Sequence, residues 1–402
     1  MIWLAIASSS IVHIEPALSD ILMIASLGLF FLMGMRIPDG IGLPSLLLGL
    51  FLVTNVATAA FAVEPIDTLR FMAVRFYMAA SFLLFTCLIY QNARRVLPVM
   101  WSAYLVAGLI AIFFGATAYF GVIDPGDQLM ENDRVRAYFK DPNVYGPFLI
   151  PIAMHAIASL ETAKKAEVTR HMAVFMVCAL GILLAFSRGA YINFVSSFVI
   201  YLLIRVSTQR NPALRKRVLK MTALILFGGI IALGGAASTD KVQKMLDTRL
   251  KVVQYYDTGE GGRLTRQLEI VKKIAVKPFG IGPGETEKDY YFGQAPHNLY
   301  LHTMIESGWV GGLAYIGFIF VSLWRAGRYI RRSPNIDGRY IAVYAAVLGI
   351  LIQSAFIDST HWRHFYMLFA MLWGPLLFWE NQVRRAVRSP DRTMIRSQVR
   401  TA

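Results

Sequence analysis

Apolar residues gather into runs at about 2–14, 19–35, 41–62, 69–90, 99–120, 144–160, 171–187, 189–206, 219–237, 298–324, 340–357 and 362–380. Most have the roughly 17–25 residues that carry a helix across a bilayer. The first run is too short to cross comfortably and lacks a basic segment before it. It reads as a truncated or partly inserted helix rather than a signal peptide. The pair at 171–206 divides at Ser187-Arg188-Gly189. The connection 238–297 interrupts the pattern. It predicts two amphipathic helices, about 240–256 and 263–277, the second with Leu264, Leu268, Val271 and Ile274 at helical spacing. Pro278 stops that helix, and the stretch FGIGPG makes a tight turn. The expected fold is all-α, a polytopic membrane protein with 11–12 transmembrane helices and a large helical loop. Its parts are N-terminal helices over 1–237, the loop 238–297, C-terminal helices over 298–380, and a basic tail 381–402.

Composition agrees. Of 402 residues 56% are hydrophobic and 16% charged, too greasy for a soluble chain of this size. The net charge of +15 changes the picture only through its placement. Connections bearing Arg94/Arg95, Lys164/Lys165/Arg170, Arg210–Lys220 and Arg325–Arg339 fall on one face, with the arginines of the tail. That bias assigns the face to the cytoplasm and makes nucleic acid an unlikely partner. Cys87 and Cys178 both lie inside apolar runs and form no disulfide or zinc pattern.

The opposite face collects the candidate chemistry. His297, Arg188 and Arg263 all fall there, although more than a hundred residues separate the outer two. Arg75 and Glu306 lie at similar depths in their spans, Arg75 on the order of 10–15 Å from the outer end. Intramembrane charges are costly unless paired or functional, so the two are expected to pair, as structural support or as a wall of the site. Asn298, His302 and Glu306 share one helical stripe. The stretch DSTHWRHF places Asp358, His361, Arg363 and His364 at another external boundary. Without HExxH, DxD or a compact carboxylate cluster, hydrogen bonding or anion contact is favoured there over a metal. Arg134 and Arg136 read as part of a solvated loop.

Three stretches together resemble the O-antigen ligase and polysaccharide polymerase family of bacterial membrane proteins. They are AFSRGAYINF (185–194), GGRLTRQLEIVKKIAVKPFGIGPG (261–284) and PHNLYLHTMIESGWVGG (296–312). The resemblance covers roughly 185–312, with weaker support from KDPNVYGPFL and DSTHWRHF. It implies a GT-C-like glycosyltransferase of the bacterial inner membrane, acting at the periplasmic face without metal or other cofactor. The implied donor is a glycan on undecaprenyl diphosphate, and the acceptor is lipid A-core or a growing polysaccharide. By the same resemblance His297 matches the catalytic histidine, and Arg188 and Arg263 match essential arginines. Arg75, His302, Glu306, Asp358, His361 and Arg363 are expected to support them. Gln267 departs from the family, whose members often carry an aromatic there.

The residue types suit that chemistry independently. Diphosphate leaves readily, so the reaction needs a base for the acceptor hydroxyl, which an imidazole supplies at neutral pH. It also needs fixed positive charge at the diphosphate, which arginine forks supply bidentately. The alternative reading is a transporter or flippase of lipid-linked sugars. That would call for two related halves with helices broken near the midplane, and the sequence has no such internal symmetry.

Overall fold

The computed structural model describes all residues except 15, 35, 124–125, 238–242, 244–261, 289–295, 334–335 and 389–402. Its elements are α1 (Ile2–Ala7), α2 (Leu18–Leu32), α3 (Gly42–Thr58), α4 (Pro65–Gln91), α5 (Ala93–Tyr119), α6 (Gly126–Leu129), α7 (Pro142–Leu160), α8 (Lys165–Leu184), α9 (Arg188–Thr208) and α10 (Pro212–Ala237). After the loop come α11 (Arg263–Val276), α12 (Leu299–Arg332), α13 (Gly338–Gln353) and α14 (Arg363–Arg388). The protein is all-α and polytopic, and each of the eleven longer apolar runs forms a helix. Among the described residues, seven helices are long and apolar enough to cross a membrane, while α2 and α13 are apolar but shorter. The first run yields only the six-residue α1.

One small departure from all-α is a two-stranded hairpin, Met130–Glu131 against Arg134–Val135. Its turn is Asn132-Asp133, both with positive φ, the conformation a two-residue hairpin loop requires. The expected amphipathic helix at 240–256 lies outside the described residues, as does most of the tail.

The helices pack chiefly in pairs: α9 with α13, α3 with α12, α7 with α8, and α4 with α14. With lipid outside, such contacts rest on close approach and interhelical hydrogen bonds rather than on hydrophobic exclusion. In the α9–α13 pair, a Cβ on Gly349 would lie 2.0 Å from the Ser197 hydroxyl, so only glycine fits. Asn193 donates to the Gln353 side-chain oxygen across the same contact at 2.8 Å. Helix α7 is buried almost all round, and the outward faces of the other spans carry exposed residues such as Val53, Phe113, Leu203 and Leu313.

Helix α11 forms where the amphipathic pattern predicts it, and packing selects one of its apolar stripes. Ile270 is buried with Ile281 and Ile305, and Ile274 and Leu301 pack around them. Leu264, Leu268 and Val271, which share helical spacing with Ile274 in the sequence, are exposed. Their spacing is helical, but they form a second stripe beside the buried one.

At the basic face, Glu161 at the end of α7 forms an ion pair with Arg205 of α9 at 2.6 Å, both side chains buried. Tyr201 donates to the same carboxylate, and Arg205 also donates to the Ile336 carbonyl at 3.1 Å. This cluster ties α7 and α9 to the turn before α13.

Candidate active site

The third motif starts with strain and a cap. His297 has φ 49°, in the left-handed region that costs a residue with a side chain. The next residue, Asn298, caps α12 by accepting from Tyr300 N at 3.0 Å and Leu301 N at 3.1 Å. Its amide donates to the Ala355 carbonyl at 3.1 Å, and Leu299 N donates to the Ser354 carbonyl at 2.9 Å. The start of α12 is therefore fastened to the end of α13.

Ten residues on, α12 breaks at Gly308, with φ 70° and ψ −179°. The FGIGPG loop meets the break backbone to backbone. Trp309 N donates to Pro278 O at 2.9 Å, Ile281 N to Ile305 O at 3.0 Å, and Gly282 N to Glu306 O at 3.2 Å. A Cβ on Gly308 would sit 2.6 Å from Pro278 O, and one on Gly280 would sit 2.6 Å from Glu306 O. The two glycine motifs are halves of one joint. Polar backbone freed by a broken helix must find partners where water is scarce, and the loop provides them.

The joint presents Glu306 to a buried polar chain. Arg75 of α4 pairs with Glu306, both side chains fully buried, and donates as well to the Asn55 side-chain oxygen. The other Glu306 oxygen accepts from Gly284 N at 2.9 Å and the Thr286 hydroxyl at 2.8 Å. His302 lies between carboxylates, Nε2 at 2.9 Å from Glu306 and Nδ1 at 2.6 Å from Asp358. Asp358 also accepts from the Thr360 amide at 2.9 Å and its hydroxyl at 2.7 Å. Burial alone would raise the Asp358 carboxyl, but His302 and then His361 outweigh it and hold it well below the usual range. Basic and acidic side chains alternate along Arg75, Glu306, His302 and Asp358, so each buried carboxylate has a basic partner, the condition under which it is tolerated.

The SRG turn has the same local design. Phe186, just before it, has φ 42°, and Ser187 caps α9 by accepting from Ala190 N at 3.3 Å. The Ser187 hydroxyl donates to the Asn143 side-chain oxygen at 2.7 Å. Arg134 donates to that oxygen at 2.9 Å and to the Ala185 carbonyl at 3.1 Å. Arg134 is thus a brace for the turn, not part of a solvated loop. Arg188 follows as the first residue of α9, half-buried.

All three motifs meet at the end of α13. Gln353 packs against Gly189 and bonds Asn193 of α9. Ser354 and Ala355 hold the start of α12, and Gln267 of α11 donates to the same Ala355 carbonyl at 3.3 Å. Gln267 is therefore an anchor for α11. His297 is half-buried. Its imidazole is held below the ordinary value, first by burial and then by the positive charge of Arg263. Arg266 adds to that effect, while Asp141 and Asp358 oppose it. The histidine and the α11 arginines thus share one electrostatic neighbourhood.

One expected support residue, Arg363, faces elsewhere. Arg363 is clamped by Asp20 of α2 through two bonds of 2.6 and 2.7 Å. With His364 it lines a cavity of about 30 Å³ against α1 and α2. His361 lies 3.7 Å from Asp358 and edge-on to Phe71, whereas His364 packs on Phe148 and Trp362. The two histidines thus have separate surroundings. Asn55, Asn143, Thr286 and Gln353 were not singled out from the sequence. Asn55 and Gln353 did carry a signal, each being a lone amide in an apolar run.

Residues 173–316 match the family model described as O-antigen ligase. The match runs from α8 through the SRG turn and the loop to the break in α12. No curated protein matches the chain.

Proposed function

We propose that this chain, which carries an O-antigen ligase domain over residues 173–316, transfers a glycan from undecaprenyl diphosphate to a sugar hydroxyl on the periplasmic side of the bacterial inner membrane. The domain and the apolar helices support a membrane protein of the ligase and polymerase kind, acting on lipid-linked glycans. The finer reading assigns roles to residues. His297 takes the proton of the acceptor hydroxyl as the acceptor oxygen bonds to the anomeric carbon. The bond from that carbon to the diphosphate breaks, and the electron pair leaves with the diphosphate. Arg188 and Arg263 bind the departing diphosphate, where two-pronged hydrogen bonding matches the phosphate oxygens. The joint at Gly308 and the Arg75–Glu306–His302–Asp358 chain hold α12 so that His297 keeps its place.

The observation that carries this reading is the meeting of the SRG turn, α11 and His297 on the end of α13. Burial and Arg263 keep the imidazole below its ordinary pKa, so at neutral pH it is the free base the step requires. The test is transfer in vitro from an undecaprenyl-diphosphate-linked glycan. His297→Ala is expected to keep its unfolding temperature and lose activity by about 10²–10⁴-fold, and EDTA is expected to leave the wild type active. Full activity of His297→Ala refutes the base assignment. Chelator-sensitive activity refutes the arginine-only account of the diphosphate.

A further inference from the structure

We infer that α11 and the turn after it form an inclined foot on the outer leaflet, with residues 276–279 inserted at the boundary between headgroups and acyl chains. The partner is the phospholipid surface itself. Three observations converge on it.

The first is depth. Helix α12 carries basic residues from Arg325 onward. Counting back the roughly 20 residues that cross the hydrocarbon puts its outer boundary near the break at Gly308. Trp309, half exposed there, is the residue type that favours a membrane interface. It also fixes α11, since its ring nitrogen donates to the Ile274 carbonyl at 2.8 Å and its backbone to Pro278. The far end of α11 is therefore at the hydrocarbon boundary. The near end is not, because Gln267 bonds Ala355 at the level of Asn298, about 15 Å up α12.

The second is the exposed stripe. Leu264, Leu268 and Val271 share one face of α11, and exposure is highest at the tip, with Val276 at 73% and Phe279 at 74%. Open apolar side chains of this size at a helix tip are a liability in water. Here they continue the lipid-facing surface of α12, on which Val310 and Leu313 are also exposed.

The third is charge. Lys272 and Lys277 are exposed beside the stripe, and their stems are long enough to lie along apolar surface while the ammonium reaches lipid phosphate. An apolar face flanked by lysines is the composition of an interfacial helix. Contact with Ala355 at one end and with Trp309 of α12 at the other tilts this one, so it cannot lie flat. The arrangement seats Arg263 above the bilayer surface while the tip holds the leaflet.

The test uses the full chain in vesicles of phosphatidylethanolamine and phosphatidylglycerol. Leu264→Cys, Val271→Cys and Phe279→Cys each receive an environment-sensitive fluorophore. Cys87 and Cys178 are buried, so the unmodified chain serves as the labelling blank. The Phe279 label is expected to be quenched at least about twofold more by brominated acyl chains than the Leu264 label, and iodide should quench in the reverse order. Val271 should fall between. Equal quenching at all three positions, or free access of iodide to the Phe279 label, overturns the inclined foot. A diazirine phospholipid reacted with the unmodified chain removes dependence on the variants. Adducts are expected on 271–279, and adducts on the spanning helices with none there refute the contact. Neither readout involves transfer, so the result stands apart from the proposed chemistry.

Discussion

Two buried charge clusters lie at opposite ends of the helical bundle, built from the same residue types toward different ends. At the basic face, Arg205 and Glu161 pair between regular helices, and Tyr201 and the Ile336 carbonyl complete the set. At the other face, Arg75 and Glu306 pair next to a broken helix, and the chain of basic and acidic groups continues through His302 to Asp358 in a turn. The first cluster closes on itself. The second leads, through α12 and the α13 end, to a strained and half-buried histidine. Burial of an arginine–glutamate pair therefore does not mark a site. What distinguishes the second is its coupling to irregular backbone, since Gly308 adopts a conformation open only to glycine and His297 a costly φ that the packing must maintain.

The comparison breaks most decisively by removing one partner. Arg75→Met and Arg205→Met each remove the arginine partner of a buried carboxylate and are expected to cost about 3–5 kcal/mol of stability, read by thermal unfolding in detergent. The gentler pair separates the clusters. Glu161→Gln should leave transfer by the folded fraction unchanged, while Glu306→Gln should lower it by about tenfold or more, a loss of roughly 1.4 kcal/mol in the transition state. Equal activity in the two glutamine variants would erase the distinction.

Lysine substitutions sharpen it. Arg205→Lys retains a charge beside Glu161 and forfeits the bond to Ile336, for about 1 kcal/mol of stability with activity intact. Arg188→Lys and Arg263→Lys should keep stability and lose transfer by about 10–100-fold, because an ammonium cannot grip phosphate at two points. Near-normal rates in both would remove the diphosphate clamp.

The smallest effect is on the pH profile. A base must be neutral, and His297 is held below its ordinary value of 6.5, so activity should fall only in acid below that value. Removing a neighbouring positive charge raises the imidazole pKa, so Arg263→Gln should move the acid limb of kcat/KM to higher pH. Asp141→Asn should move it lower. Burial, the largest cause, is untouched by either, so both shifts are partial. An unmoved limb in both variants would mean that His297 is not the group titrating.

Much of this was open to reading along the chain. Runs of apolar residues announced the eleven longer helices, because a segment that must satisfy its own backbone in lipid has little choice but helix. The Arg75–Glu306 pair was inferable for a related reason, since two opposite charges at like depth have few other partners. His302 between two carboxylates was only half visible. Its i,i+4 relation to Glu306 is local, whereas Asp358 arrives from the turn between α13 and α14.

Local pattern, then, determined which segments are helices, where they stop, and which residue types face the site. Hydrophobic period, caps and glycines act over a few residues, and a sequence displays them directly. Tertiary structure alone decided which apolar stripe of α11 is buried. Leu264, Leu268 and Val271 are as regular as Ile270 and Ile274, and only the position of Ile305 selects between the two faces. It decided that Arg134 braces the SRG turn and that Arg363 turns to Asp20. It also decided that the two glycine motifs close on each other. Each of these depends on contacts between segments far apart in the chain, whose free energies exist only once the helices have packed.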